Sequence, residues 1–97
     1  MSEIEQIIIK LRENKPALKN NYGVKALGVF GSYLKNAQKK GSDVDILVEF
    51  EEPISLLKYL ALEQQLSKLM GKKVDLVMKS ALKPRIGKKI LKEVIYI

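Results

Sequence analysis

The stretch "GVFGSYLKNAQKKGSDVDILVEF", Gly28 to Phe50, decides how this chain is read. An apolar run ends at Gly31-Ser32, a basic loop follows, and Asp43 and Asp45 open a second apolar run. Val44, Ile46, Val48 and Phe50 alternate with Asp43, Asp45, Leu47 and Glu49, the period of a β-strand that carries both aspartates on one face. Carboxylates at i and i+2 of a strand stand roughly 6–7 Å apart. Such a pair is costly unless something positive lies between them. The spacing suits one divalent cation, or two ions roughly 3.5–4 Å apart. Taken alone, a D-x-D is equally the polar start of an ordinary strand. A Gly-Ser pair alone is equally an ordinary turn whose serine caps a short helix.

Working outward, "VKALGVF" (Val24 to Phe30) predicts the strand that leads into Gly31. Ser32 to Ala37 are expected to form a turn or two of helix, and Lys39-Lys40-Gly41-Ser42 a loop. Ile4, Ile7, Ile8 and Leu11 have helical spacing, which predicts a helix over 2–13 capped by Ser2. Pro16 is expected to break it and to open a short second helix, Pro16 to Asn20, before a turn at Asn20-Asn21 and Gly23. Downstream, Pro53 ends the aspartate strand and Ser55 caps a helix to Met70, with Leu62, Leu66 and Leu69 on its inner face and Gly71 as its stop. "KKVDLVMK" (Lys72 to Lys79) predicts a third strand with Asp75 near its start. Pro84 opens a last helix with Ile86, Ile90 and Val94 in one stripe, and "VIYI" closes the chain. The order α, α, β, (α), β, α, β, α predicts an α+β (α/β-layer) fold with a small sheet.

The 97 residues predict one domain spanning 1–97. With 46% hydrophobic and 30% charged residues, the composition is that of a folded globule and argues against disorder. No apolar run is long enough to span a membrane, and "MSEIEQIIIKLREN" lacks a basic leader and a cleavage site, so the expectation is a cytoplasmic protein. The absence of cysteine and histidine excludes disulfides, thiolate nucleophiles, imidazole bases and Cys/His zinc sites. Catalysis would then rest on carboxylates, hydroxyls, lysines or a bound metal. Oxygen-only ligation points to Mg2+ or Mn2+. The net charge of +7 reads first as a lysine-coated, solvated surface, and more sharply as attraction to phosphate-rich or acidic partners. The lysines are nevertheless scattered and not interleaved with aromatics, which argues against a nucleic-acid surface.

The features matter in combination. A Gly-Ser turn lets backbone approach an anion, a carboxylate pair follows one loop later, and the next strand supplies Asp75. Nucleotidyl transfer needs this set: carboxylates for the metal that neutralises a triphosphate and for activation of an attacking hydroxyl. Gly31-Ser32, ten intervening residues and Asp43-Val44-Asp45 resemble the G-S-x10-D-x-D signature of the polymerase-beta-like nucleotidyltransferase superfamily. The short length, the lead-in "YGVKALGVFGSY" and the closing "LKPRIGKKILKEVIYI" resemble its minimal (MNT) branch.

That resemblance implies a small mixed β-sheet covered by helices, with Mg2+ (or Mn2+) held by Asp43, Asp45 and Asp75. It implies that Gly31 and Ser32 contact the nucleotide phosphates, with Lys35 and Ser42 as further nucleotide-binding residues. Minimal members are commonly paired with a helical HEPN ribonuclease toxin, and act as antitoxins by moving AMP from ATP to a tyrosine of the toxin. Implied here, then, is an ATP-dependent protein adenylyltransferase with a HEPN-type partner, in a homo- or hetero-oligomer. One position departs from the pattern. The family usually has a small residue followed by arginine where this chain has Leu34 and Lys35, and lysine keeps the charge without the two-pronged grip. Larger members carry a second, helical domain for base and acceptor, so the acceptor or part of the nucleotide pocket is expected from a partner chain. Two alternatives stand beside this reading: an antitoxin that silences a HEPN ribonuclease by binding alone, and transfer to a small-molecule or RNA hydroxyl. Retention of three mutually repelling carboxylates favours catalysis over binding alone.

Overall fold

A single helix, α1, runs from Glu3 to Tyr22 straight through Pro16. The expected break is therefore absent, although an interior proline costs a helix about 3 kcal/mol. Ile7, Leu11 and Leu18 explain why: they lie on one helical stripe that keeps its phase across Pro16, and all three are buried in the core. Packing on both sides of the proline outweighs the local penalty. Ser2 caps the helix as expected, accepting from the Glu5 N–H (3.3 Å) and donating to Glu5 Oε1 (2.9 Å). Gly23 ends it in the left-handed region at φ 70°.

The computed structural model describes residues 2–35, 37–39 and 41–97. Strand β1 spans Val24–Phe30, β2 Val44–Phe50 and β3 Val74–Met78. Helix α2 (Leu56–Met70) joins β2 to β3, and a short 3-10 turn, Lys79–Ala81, leads to α3 (Pro84–Glu93) and the two-residue strand β4 (Ile95–Tyr96). The sheet order is β3-β2-β1-β4, with β2 and β3 parallel and the other neighbours antiparallel. The sheet is thus small and mixed. Asp43 falls one residue before β2 rather than inside it.

One face of the sheet carries the core. Val44, Ile46 and Val48 of β2, Leu27 and Val29 of β1, and Val74 and Leu76 of β3 pack with α1 and with Leu62, Leu66 and Met70 of α2. A bulge between Val24 and Ala26 allows Val24, three residues from Leu27, to join the same cluster. The opposite face carries Phe30, Asp45, Leu47 and Asp75, placed there by strand alternation and register. Part of that face is covered: a Cβ at Gly28 would overlap the side chain of Val94, so the missing side chain makes room for the corner between α3 and β4.

That corner departs from the expected stripe. Helix α3 stops at Glu93, leaving Val94 as its cap; Ile86 is exposed and Gly87 is the helix's one buried residue. The closing residues, to which no element was assigned from sequence, pair with the middle of β1 (Gly28 with Tyr96, Val29 with Ile95), and the Ile97 N–H donates to the Leu27 carbonyl at 2.8 Å. No helix among the described residues is long and apolar enough to cross a membrane.

Candidate functional site

Strand register assembles the acidic residues. Asp45 and Asp75 are direct partners on the parallel strands β2 and β3, so their side chains leave the same face about 5 Å apart at the backbone. Asp43 lies two residues before Asp45, just ahead of β2, and near enough for its charge to repel the Asp45 carboxylate. Two strands and one register thus bring together three carboxylates that the sequence separates by up to thirty-two positions.

Their surroundings differ. Asp45 is half-buried and Asp75 exposed. Burial, first, and then repulsion from Asp75 and Asp43 push the Asp45 carboxyl above the ordinary aspartate range, while the Ser32 backbone N–H pulls the other way. Asp43 has Lys73 at 3.9 Å, a loose and exposed ion pair. Asp75 has no side-chain hydrogen bond or ion pair among the described residues.

The Gly31-Ser32 turn covers this cluster. Gly31 sits at φ 80°, and a Cβ there would collide with Oδ2 of Asp45. Glycine is required at this point for two reasons: its backbone conformation, and the Asp45 carboxylate resting against its Cα. The second reason was invisible in sequence. Ser32 to Lys35 form one tight turn rather than helix, with the Lys35 N–H donating to the Gly31 carbonyl (3.2 Å) and the Ala37 N–H to the Ser32 carbonyl (2.8 Å). Asn36, within the expected helical turn, and Lys40, within the expected loop, lie outside the described residues. Buried Tyr33 straps the ends of the segment together, its hydroxyl donating to the Ser42 carbonyl at 3.3 Å.

Two expected nucleotide contacts are engaged otherwise. Lys35 makes an ion pair with Glu93 at the end of α3 (3.1 Å). The Ser42 hydroxyl accepts from the Lys39 N–H (2.8 Å), closing the loop just before Asp43. The Ser32 hydroxyl has no partner among the described residues. Glu93 and Tyr33 gave no signal in sequence as site residues, because their roles depend on the chain folding back.

The chemistry of the donors fits a hard divalent cation. The face offers carboxylate oxygens, and burial, followed by repulsion from Asp75 and Asp43, raises Asp45; a 2+ ion would offset that cost. Among the described residues, no three acidic side chains are gathered closely enough to enclose an ion. On its β3 side the face is open, with Asp75 exposed. A cavity of about 650 Å3 lies at the other ends of β2 and β3, lined by Phe50, Pro53, Ile54, Met78 and Lys79 among others, and includes none of the three aspartates.

Comparison with known proteins agrees with this geometry. Residues 11–97 match the nucleotidyltransferase domain family. The chain is similar to the protein adenylyltransferase MntA of Thermococcus cleftensis, 50% identical over 97 residues that cover all of this chain and 98% of that protein. Its fold superimposes on that of a candidate minimal nucleotidyltransferase at TM-score 0.78, with 33% identity over 98% of this chain and 95% of the other. A toxin-antitoxin crystal structure containing AMP-PNP matches at TM-score 0.70, with 25% identity over 99% of this chain and 72% of the other.

Proposed function

This chain belongs to the nucleotidyltransferase domain family, and we propose that residues 1–97 form one minimal transferase domain that moves AMP from ATP to a tyrosine hydroxyl of a HEPN-type toxin, as its antitoxin. The observation that carries the reading is the pairing of Asp45 with Asp75, with Asp43 two residues behind, beneath a turn that seats Asp45 against Gly31. The similarity to a protein adenylyltransferase supports the reaction type. The toxin-antitoxin structure with AMP-PNP supports ATP and a toxin partner.

Asp43, Asp45 and Asp75 would hold Mg2+ (or Mn2+), and the ion would supply charge neutralisation for the triphosphate and polarise the acceptor hydroxyl. The turn at Gly31 and Ser32 presents backbone N–H groups and a serine hydroxyl to the phosphates. Lys35 reaches them by exchanging Glu93 for phosphate oxygen, and Ser42 holds the loop that sets Asp43. Asp75, the most exposed of the three, takes the proton from the tyrosine oxygen as that oxygen bonds to the α-phosphorus. The bond from α-phosphorus to the bridging oxygen breaks, and pyrophosphate leaves. The exposure of Asp75 on the β3 side suits a site completed by a partner chain. A reaction that draws on ATP supports a cytoplasmic location.

The test is incubation with labelled ATP and Mg2+, with and without a HEPN-type toxin protein, read by intact mass. Addition of AMP units to the partner, lost in Asp43→Asn, is the expected result. A stable complex that silences the partner with no mass gain would replace transfer by binding as the mode of action.

A further inference from the structure

Of the three carboxylates, Asp75 alone has no side-chain or turn partner, so its place is set by its backbone. That backbone lies on the outermost strand. In a parallel pair, alternate residues point their N–H and C=O groups inward and outward. Lys73 bonds inward to β2, its carbonyl accepting from the Val44 N–H at 2.9 Å, which leaves Val74 and Leu76 facing outward. An unpaired edge of this kind is normally solvated or paired with another strand.

Here it is neither. Tyr59, Glu63 and Ser67, spaced four apart on α2, form a row along the edge of β3. The Tyr59 hydroxyl donates to the Leu76 carbonyl. Glu63 Oε2 accepts from the Leu76 N–H at 2.9 Å. Ser67 Oγ accepts from the Val74 N–H at 3.0 Å and donates to the Glu63 carbonyl at 3.0 Å. Both residues flanking Asp75 are thereby bound to side chains of one helix, while Asp75 itself pairs with Asp45 in register on the inner side. The helix acts as a substitute fifth strand over the one segment that bears the third carboxylate. Tyr59 also lies close enough to feel the charges of Glu63 and Asp75, which, after burial, hold its hydroxyl protonated and able to donate.

We infer that Tyr59, Glu63 and Ser67 are positioning residues for Asp75, fixing the β3 backbone so that its carboxylate stays in register beside Asp45, on the face where a cation would be held. This rests on the metal site proposed above and extends it to residues that touch neither metal nor nucleotide. Residues that orient metal ligands typically alter metal affinity by about 10–100-fold when removed.

The experiment is a Mn2+ titration of the full chain in the presence of AMP-PNP, followed by the relaxation of water protons, with amide hydrogen exchange at Leu76 measured on the metal-free protein. Glu63→Met should weaken Mn2+ binding on the order of tenfold and speed exchange at Leu76. Glu63→Gln, whose side-chain carbonyl still accepts the Leu76 N–H, should restore Mn2+ affinity to within about threefold. Leu66→Ala serves as the control: it destabilises the core without touching the edge and should keep the parental affinity. Loss of Mn2+ affinity in Leu66→Ala equal to that in Glu63→Met would reduce the row to a stability device and overturn the inference. So would faster Leu76 exchange in Glu63→Met with Mn2+ affinity unchanged. If Glu63→Met does not fold, Tyr59→Phe removes a single hydroxyl and carries the same decision. A parent chain that takes up no Mn2+ would remove the metal site and this inference together. A parent that binds Mn2+ but transfers no AMP would overturn the transfer reaction alone.

Discussion

The two faces of β2 obey opposite rules. On one, Val44, Ile46 and Val48 are fully enclosed by α1 and α2. On the other, Asp45 stands half-buried beside two further carboxylates, in an environment that disfavours its charge. The first face lowers the free energy of the folded chain through apolar burial, whereas the second sets one buried leucine, Leu47, beside carboxylates whose desolvation and repulsion raise it. One seven-residue strand therefore holds stability and function on alternate residues. The separation teaches that substitutions in β2 should sort by side chain: Val44, Ile46 and Val48, with Leu47, for folding, and Asp45 for chemistry.

The sharpest way to break that division is Asp45→Asn. Transfer should fall on the order of a thousandfold or more, while the metal-free melting temperature rises by about 2–5 °C as repulsion is relieved. Calorimetry without metal checks the second half, and a lower melting temperature would show that the acidic face also stabilises. The mirror image is Leu62→Ala on the core side. It should cost about 2–5 kcal/mol in denaturant unfolding yet leave transfer per folded molecule within about twofold of the parent. Gly31→Ala tests where the two faces meet. A methyl group there strains the backbone and displaces the Asp45 carboxylate, so stability should drop by about 1–3 kcal/mol and Mn2+ affinity should fall with it. Unchanged metal affinity would mean that Asp45 is not seated by the turn. The smallest effect is expected from Glu93→Gln, which frees Lys35. The KM for ATP should fall about two- to threefold, with stability altered by less than about 0.5 kcal/mol, because exposed ion pairs contribute little.

Much of this was legible in the chain. Strand β1 occupies Val24–Phe30 as read, and α2 begins after Ser55 and stops at Gly71. Each is bounded by a local signal: apolar alternation, a serine cap, a left-handed glycine. The same locality explains the failures. Pro16 is a valid helix breaker over one turn, but Leu11 and Leu18 are held by β-sheet residues far along the chain, and that packing decides. Strand β4 is too short to show a period, and is defined by its partner Gly28 nearly seventy residues earlier. In the candidate site, the aspartates and the Gly-Ser turn were readable from spacing. The Gly31–Asp45 contact and the Lys35–Glu93 pair were not, since each depends on segments meeting only after folding. The row on α2 lay between the two cases. Tyr59, Glu63 and Ser67 share a helical spacing, but nothing in sequence says that a strand edge lies opposite.

That row also limits how the protein can associate with itself. By occupying the Val74 and Leu76 N–H groups and the Leu76 carbonyl, it blocks that stretch of β3 and leaves β4, with exposed Ile95 and Tyr96, at the sheet's other margin. A sheet with two free margins can add copies without end, as fibrils do. A sheet with one has a valence of one. Two copies meeting through β4 would consume both free margins, and growth would terminate at the pair.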